Sequence, residues 1–214
     1  MSCATWRAGE VIRVTGFAAL AALSFGVAVY AIAVYGFLPL GWAVHPDMRA
    51  TFEAHRAAIY AHVFASVLAL ALGPFQFRAR LRTTRPHVHA WMGRLYLGVG
   101  VLVGGFAGLF MALHAFGGLA ARLGFACLAL GWLYTGARAY AAIRGRDVAA
   151  HRRWMVRNFA LTFAAVTLRL WLPGSKVAGV EFELAYPAIA WLCWVPNLVV
   201  AELLFNRPKT LTQP

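Results

Sequence analysis

The chain has 214 residues, of which 62% are hydrophobic and only 13% are charged. Soluble domains are roughly 45–50% apolar and 25% charged, so this composition excludes an ordinary soluble protein and predicts a polytopic membrane protein. The formal net charge of +13 would point to nucleic acid in a soluble domain, but in a membrane protein the Lys and Arg residues must first be assigned to loops.

Six apolar segments are long enough to cross a bilayer, which takes about 20 residues per helix. They predict an all-α fold, a polytopic transmembrane helix bundle that forms a single integral membrane domain. Pro39 and Pro46 break the chain after the first segment, and a turn of interfacial helix is expected around residues 48–56. Pro86 suits the first turn of the third span, and Asp147 is a good N-cap for the fifth. The predicted spans are residues 11–37, 57–77, 86–114, 122–143, 149–173 and 186–205.

The positive charges are distributed unevenly between the two faces of this predicted bundle. Fifteen of the twenty Lys and Arg residues belong to the face that holds both termini and the loops after the second and fourth spans. By the positive-inside rule, that face is cytoplasmic, so both termini are predicted to lie inside. Membrane insertion then accounts for the net charge, and a nucleic-acid partner is excluded.

The fifth span carries a polar stripe. At about 100° of rotation per residue, the side chains of His151, Met155, Asn158, Thr162 and Arg169 lie on one face. Ionisable groups in hydrocarbon are costly and normally turn toward a bundle interior or a wet cavity. This face is therefore predicted to point at other helices, with a histidine near one membrane boundary and an arginine near the other.

The second and third spans repeat this arrangement of small and polar residues. His62 and Gln76 share one face of the second span, and His89, Gly93 and His114 share one face of the third. Three helices thus present histidine-bearing faces to the predicted interior.

Two of these histidines lie at matching depth and suggest a cofactor. His89 opens the third span and His151 opens the fifth, both near the predicted cytoplasmic boundary. Two opposed imidazoles on facing helices are what a low-spin haem iron needs, so the hypothesis is a haem b, with these two histidines as metal ligands. Gly93 would leave room for a porphyrin face, and Arg94, Arg152, Arg153 or Arg157 could pair with propionates. The alternative is that both histidines bond to water or carbonyls at the headgroup level while glycines pack the helices.

The other histidines leave further alternatives open. His62 and His114 form a second, weaker haem pair. His62 by itself could carry protons, contact a quinone or simply be a buried hydrogen-bonding group. A loosely held metal ion outside the membrane, at His45, Asp47 and His55, is another alternative.

Arg169 is expected to be structural. Near the outer surface it would hold Glu181, Glu183 or Glu53, in preference to binding an anion or a substrate. An ion pair would neutralise a charge that is otherwise costly in the membrane.

Two polar residues in the sixth span also need partners. Asn197 follows Pro196 and is expected to bond to backbone groups that the proline kink frees. Glu202 requires a cation at the inner side. The candidate cations are Arg94, Arg138 and Arg157.

Four blocks of sequence resemble a known family. The blocks are LGPFQF (72–77), HAWMGRLYLG (89–98), AHRRWMVRNFALTFAAVTLRL (150–170) and WLCWVPNLVVAELL (191–204). In this order they resemble the bacterial membrane-protein family catalogued as domain of unknown function 2306. The resemblance implies a multi-span protein of the bacterial inner (cytoplasmic) membrane and brings no activity with it. A remoter similarity is to the ascorbate-dependent transmembrane b-type cytochromes, although the fourth span here lacks their histidine.

These observations leave three functions open. The preferred one, by a small margin, is a redox protein that passes electrons between haem b and a quinone or another membrane-protein subunit. The second is a cofactor-free accessory or scaffold subunit of a larger membrane complex. The third is a transporter or lipid-modifying enzyme, with His62, Gln76, Arg169 and Glu202 along a substrate path. Only the lipid bilayer is a partner in all three.

Overall fold

A computed structural model describes residues 3–206, with side chains from Thr15 onward. Over this range the chain is helical and has no strand, and six helices are long and apolar enough to cross a membrane. The predicted all-α, six-span fold is therefore confirmed. The prediction that both termini lie inside rests on fifteen Lys and Arg residues. Four of them, at positions 7, 13, 207 and 209, lie outside the part of the chain whose side chains are described. The spans are Thr15–Phe37, Arg56–Gln76, Pro86–Leu113, Gly118–Arg144, Val148–Val177 and Phe182–Phe205.

Several spans are built from more than one helical segment. The first, second and fourth are continuous, whereas the third, fifth and sixth are interrupted. The α-helices are α1 (Cys3–Phe37), α2 (Pro46–Ala54), α3 (Arg56–Gln76), α4 (Ala79–Thr84), α5 (Pro86–Leu95), α6 (Gly104–Leu113), α7 (Gly118–Arg144), α8 (Val148–Thr162), α9 (Ala164–Val177), α10 (Phe182–Leu192) and α11 (Val195–Phe205). A π-helical segment, Tyr96–Val103, joins α5 to α6.

Local sequence signals account for the connections. Helix α2 is the expected interfacial helix, with Pro46 in its first turn. The carboxylate of Asp147 accepts a 2.8 Å hydrogen bond from the backbone N–H of Ala150, so the predicted N-cap of α8 is confirmed. We call the end of the bundle with the loops 77–85 and 145–147 the basic end, and the other end, where α2 lies, the α2 end.

Glycines allow the central spans to approach closely. A methyl group added to Gly100 would lie 2.8 Å from the Cβ of Ala69, and one added to Gly105 would lie 2.6 Å from the Leu133 side chain. Small residues let helix backbones pack together where lipid supplies no hydrophobic driving force. The glycines of the third span therefore fix its contacts with the second and fourth spans.

The interruption of the sixth span occurs at Cys193 and Trp194, just before Pro196. The carbonyl of Cys193 accepts hydrogen bonds from the Thr167 hydroxyl and, at 3.0 Å, from the side-chain amide of Asn197. The expectation that Asn197 serves backbone groups near the proline kink is thus confirmed. The π-helical segment of the third span had no sequence signal, because π-helices carry no distinctive residue pattern.

Candidate functional site

A cavity of about 500 Å³ lies between the helices toward the α2 end. Its volume falls in the range of small-molecule sites, about 300–1,000 Å³, and all six spans contribute to its wall. A second depression of about 790 Å³ is lined by some of the same residues, including Tyr35, Arg169 and Tyr186, and also by His45 and Phe182. Arg169 therefore lines both spaces at the α2 end. The polar side chains around the first cavity include Tyr35, Asp47, His62, Ser66, His114, Thr162 and Arg169.

His62 is held in one orientation by the third span. Its Nδ1 lies 2.8 Å from the carbonyl oxygen of Gly104, and because a carbonyl can only accept, Nδ1 carries the proton. A Cβ at Gly108 would come within 2.6 Å of that nitrogen, so only glycine leaves room for the ring there. In the neutral ring, Nε2 is then an acceptor beside the cavity.

Ser66 lies one helical turn after His62 and lines the same cavity. Its hydroxyl oxygen is buried and has no hydrogen-bond partner in the structure. A serine in a helix can bond back to a carbonyl of the preceding turn, as Ser24 does with the carbonyl of Leu20 at 2.8 Å. The Ser66 hydroxyl is therefore available to a molecule in the cavity.

Arg169 does not form the ion pair expected of it. Glu53 pairs with Arg56 at 2.5 Å, and within the described residues no carboxylate lies within 4 Å of the Arg169 guanidinium. Instead, one guanidinium nitrogen donates to the carbonyl of Ala165 at 2.9 Å, and the group lies 5.7 Å from the centre of the Tyr30 ring. The expectation of a carboxylate partner was wrong: Glu53 pairs with Arg56, Glu183 lies beside His45 and Asp47, and Glu181 lines the same depression as Arg169 without forming an ion pair with it.

A closed hydrogen-bond network lies next to the cavity, toward the middle of the bundle. The Tyr96 hydroxyl bonds to Asn158 Oδ1 at 2.8 Å and to Thr162 Oγ1 at 2.7 Å. Asn158, fully buried, donates to Thr135 Oγ1 and to the carbonyl of Trp132, and the Trp132 indole donates to Thr162. Asn158 thus faces the interior as predicted. The sequence did not identify Trp132, since nothing in an apolar run separates an inward tryptophan from a lipid-facing one.

The predicted haem ligands His89 and His151 and the side chain of Gln76 lie at the basic end. His151 Nδ1 lies 2.8 Å from the carbonyl of Ala139, which leaves its Nε2 free. His89 Nδ1 and Gln76 Nε2 are both buried and have no hydrogen-bond partner. A Cβ on Gly93 would lie 3.3 Å from Gln76 Oε1, so the Gln76 amide covers the face that Gly93 was expected to leave open.

These contacts satisfy a haem only in part. Metal-binding histidines usually donate the second ring N–H to a carbonyl or carboxylate, and His151 does so whereas His89 does not. The Gln76 amide stands against Gly93, and neither histidine lines the two cavities. Arg94 and Arg152 are exposed, with Arg94 lying 5.0 Å from the centre of the Trp91 ring.

The sixth span is joined to the fifth by an ion pair. Arg157 donates to both carboxylate oxygens of Glu202, at 2.5 and 2.9 Å. Arg157 was one of three predicted partners for Glu202, and this pairing is confirmed. A bidentate contact of this kind fixes orientation as well as charge, so Glu202 holds the end of α11 against α8.

The histidines at the α2 end differ from the predicted arrangement. His114 lines the same cavity as His62, but its ring lies against that of His55, with centroids 4.2 Å apart. His45 and Asp47 are joined by Glu183 instead of His55, and one ligand atom from each of the three lies within 4.8 Å of the others. The expected third ligand was wrong because His55 is engaged elsewhere.

The sequence matches the model of a known protein family. The sequence profile of the DUF2306 family, described as a predicted membrane protein, matches residues 59–205, which is more than half of the chain. No curated protein and no solved structure matches the chain significantly.

Proposed function

The chain belongs to the DUF2306 family of predicted membrane proteins, and we propose that it binds an amphiphilic molecule with an anionic head group. The binding site is the cavity at the α2 end. The observation that carries the proposal is Arg169. Its guanidinium borders both parts of the cavity, and no carboxylate among the described residues lies close enough to pair with it. A cation in a membrane span that faces a cavity is a functional group by default.

The head group would be recognised by three side chains. The guanidinium of Arg169 has donors left after its single bond to Ala165 and suits the two oxygens of a carboxylate or phosphate. The Ser66 hydroxyl is an unpartnered donor, and His62 Nε2 accepts a proton from a hydroxyl or an acid. Together they offer two donors and one acceptor to the same space.

The rest of the cavity suits an apolar chain. Val27, Ile59, Val67, Leu70 and Leu128 are among its lining residues. Apolar walls with a few placed polar groups are typical of small-molecule sites. Burial of a hydrocarbon chain contributes about 0.8 kcal/mol per CH₂ group relative to water, although a ligand that arrives from lipid gains little of this. The head group therefore decides which molecule binds.

The experiment compares oleate, its methyl ester and oleylamine for binding to the detergent-purified protein. Oleate should bind at least ten-fold more tightly than the ester and the amine, because only its head group pairs with Arg169. The variant Arg169→Gln should remove this preference. Arg49→Gln is the matched control, since Arg49 is another cation at the α2 end but is exposed and lines neither cavity.

Three outcomes would contradict the proposal. Equal binding of oleate by the wild type and Arg169→Gln would show that the guanidinium does not recognise the head group. Tighter binding of a neutral quinone than of oleate would instead support the redox function, with the cavity as its quinone site. Absence of binding by every probe would favour the scaffold function.

A second candidate function rests on His151 at the basic end. Its Nδ1 bonds to the carbonyl of Ala139, as metal-binding histidines usually do, and this leaves Nε2 available. His89, at the same end of the bundle, has an unpartnered ring nitrogen. A bound haem b would supply one-electron chemistry, and Gln76 would have to leave Gly93 to admit it. We therefore retain electron transfer as the alternative to ligand binding.

The absorption spectrum of the purified protein tests this alternative directly. A haem b held by both histidines would give a Soret band and sharp reduced α and β bands, lost in His89→Ala and in His151→Ala. His87→Ala is the matched control, because His87 is exposed on the same helix. A colourless wild type, purified from haem-supplemented cells, would exclude the alternative and leave the cavity proposal untouched.

A further inference from the structure

The outer surface of the α2 end carries a group of metal-ligand residues that the cavity proposal does not use. His45 precedes α2, Asp47 lies in its first turn, and Glu183 lies in the first turn of α10. One ligand atom from each residue lies within 4.8 Å of the other two. Asp47 and Glu183, which are 136 positions apart in the chain, thus lie close together because the starts of α2 and α10 pack against each other.

The imidazole of His45 is positioned for a ligand. Its ring stacks on Phe182, with centroids 4.3 Å apart and an interplanar angle of 8°. Its Nδ1 is buried and has no hydrogen-bond partner, and it lies 3.7 Å from Asp47 Oδ2, too far for a hydrogen bond. A metal ion between these two atoms would satisfy both, because it bridges ligands that are too far apart to bond directly.

We propose that His45, Asp47 and Glu183 bind one divalent transition-metal ion, with Zn²⁺ as the reference ion. One imidazole nitrogen and two carboxylate oxygens suit Zn²⁺ and similar ions better than Ca²⁺ or Mg²⁺, which prefer oxygen ligands alone. Three protein ligands leave a fourth, open position on a tetrahedral ion. With a neutral imidazole, the two carboxylates balance the charge of the ion.

The position of the cluster gives the ion a structural consequence. The first cavity is lined by Asp47, Met48 and Phe52 of α2. The second depression is lined by His45 and Phe182. An ion that joins the start of α2 to the start of α10 would fix α2 over this region. Metal binding would therefore reduce the mobility of α2, independently of whether the cavity binds an anionic amphiphile.

The experiment titrates Zn²⁺ into protein that carries no polyhistidine tag, by isothermal calorimetry in detergent. One Zn²⁺ per chain should bind, and His45→Ala and Glu183→Gln should each weaken binding at least ten-fold. A large excess of Mg²⁺ or Ca²⁺ should not compete. His55→Ala is the matched control, because His55 lies at the same end but its ring packs against His114, so its loss should leave the affinity unchanged.

Hydrogen exchange supplies a second measurement. Zn²⁺ should slow amide exchange in residues 46–54 of the wild type and not in Glu183→Gln, whose carboxamide preserves the shape of an exposed side chain. Equal Zn²⁺ affinity in the wild type, His45→Ala and Glu183→Gln would overturn the proposal. The same would follow if His55→Ala abolished binding, since the site would then be the His55–His114 pair.

Discussion

Polar side chains occur in two adjacent regions of this bundle, and the two regions differ in whether those groups have partners. In the central network of Tyr96, Trp132, Thr135, Asn158 and Thr162, the side-chain groups bond to one another or to carbonyls. In the cavity at the α2 end, a hydroxyl lacks any partner and a guanidinium lacks a counter-ion. Buried polar groups are nearly always satisfied. The closed network therefore holds the fold, and the open cavity is where a ligand belongs.

The largest expected effect comes from breaking the network at Asn158. Asn158→Leu removes three hydrogen bonds and leaves the Tyr96 hydroxyl and the Thr135 hydroxyl without one partner each. Hydrogen bonds inside membrane proteins contribute about 0.6 kcal/mol on average and up to roughly 1.7 kcal/mol, and orphaned buried groups cost about 1–3 kcal/mol. We expect the free energy of unfolding to fall by about 3 kcal/mol, measured by denaturation in mixed micelles.

The control for this change keeps the shape of the network and removes one hydroxyl. Tyr96→Phe should lower the free energy of unfolding by about 1–2 kcal/mol, less than Asn158→Leu. An equal or larger loss in Tyr96→Phe would mean that Asn158 is not the centre of the network. Oleate affinity, measured where the variants remain folded, should change little in either case.

Two glycines of the third span extend the same comparison. A Cβ at Gly100 meets the backbone of Ala69 at 3.1–3.2 Å, whereas one at Gly108 meets the His62 ring. The backbone of Ala69 cannot move aside as a side chain can. We therefore expect Gly100→Ala to lower the free energy of unfolding by about 2 kcal/mol, which is within the usual cost of overpacking a core. In Gly108→Ala the ring can turn away, at the expense of its bond to Gly104.

Gly108→Ala should therefore change ligand binding more than stability. Its melting temperature should fall by less than that of Gly100→Ala, because a side chain moves aside more easily than backbone, while oleate affinity falls several-fold because His62 is displaced. Gly98→Ala is a neutral control, since nothing lies within 4 Å of a Cβ at that position. Equal melting temperatures for the Gly100 and Gly108 variants would remove the distinction.

The ion pair between the fifth and sixth spans should have a smaller effect. Arg157 and Glu202 are partly exposed near a membrane boundary, with 24% and 39% of their side chains accessible. Partly exposed pairs are screened, so we expect a coupling energy of about 1 kcal/mol. A double-mutant cycle with Arg157→Gln and Glu202→Gln measures this coupling energy. A value near zero would mean that the pair orients α11 against α8 without stabilising the fold.

The spans, the interfacial helix and the Asp147 cap could be predicted because each depends on local pattern: apolar length, a proline in the first turn or a capping carboxylate. The inward position of Asn158 followed from helical periodicity. The partners of Arg169 and Asp47 could not be predicted, because they depend on which distant helices meet. Glu183 lies beside Asp47 only because α10 packs beside the start of α2. No spacing along the chain predicts this contact.

The smallest expected effect is on the free energy of unfolding when a hydroxyl is removed, and its sign differs between the cavity and the network. Ser66 and Thr135 are both hydroxyl residues on the interior faces of spans, but only Thr135 has partners, at the carbonyl of Gly131 and at Asn158. Ser66→Ala removes an unsatisfied group and should leave the free energy of unfolding unchanged or raise it by about 0.5 kcal/mol, whereas Thr135→Ala should lower it by about 1 kcal/mol. Oleate affinity should respond in the opposite order, falling in Ser66→Ala and holding in Thr135→Ala. Destabilisation of Ser66→Ala by as much as Thr135→Ala would mean that the Ser66 hydroxyl has a partner in the folded protein, and the cavity would then lose one of the groups that mark it as a site.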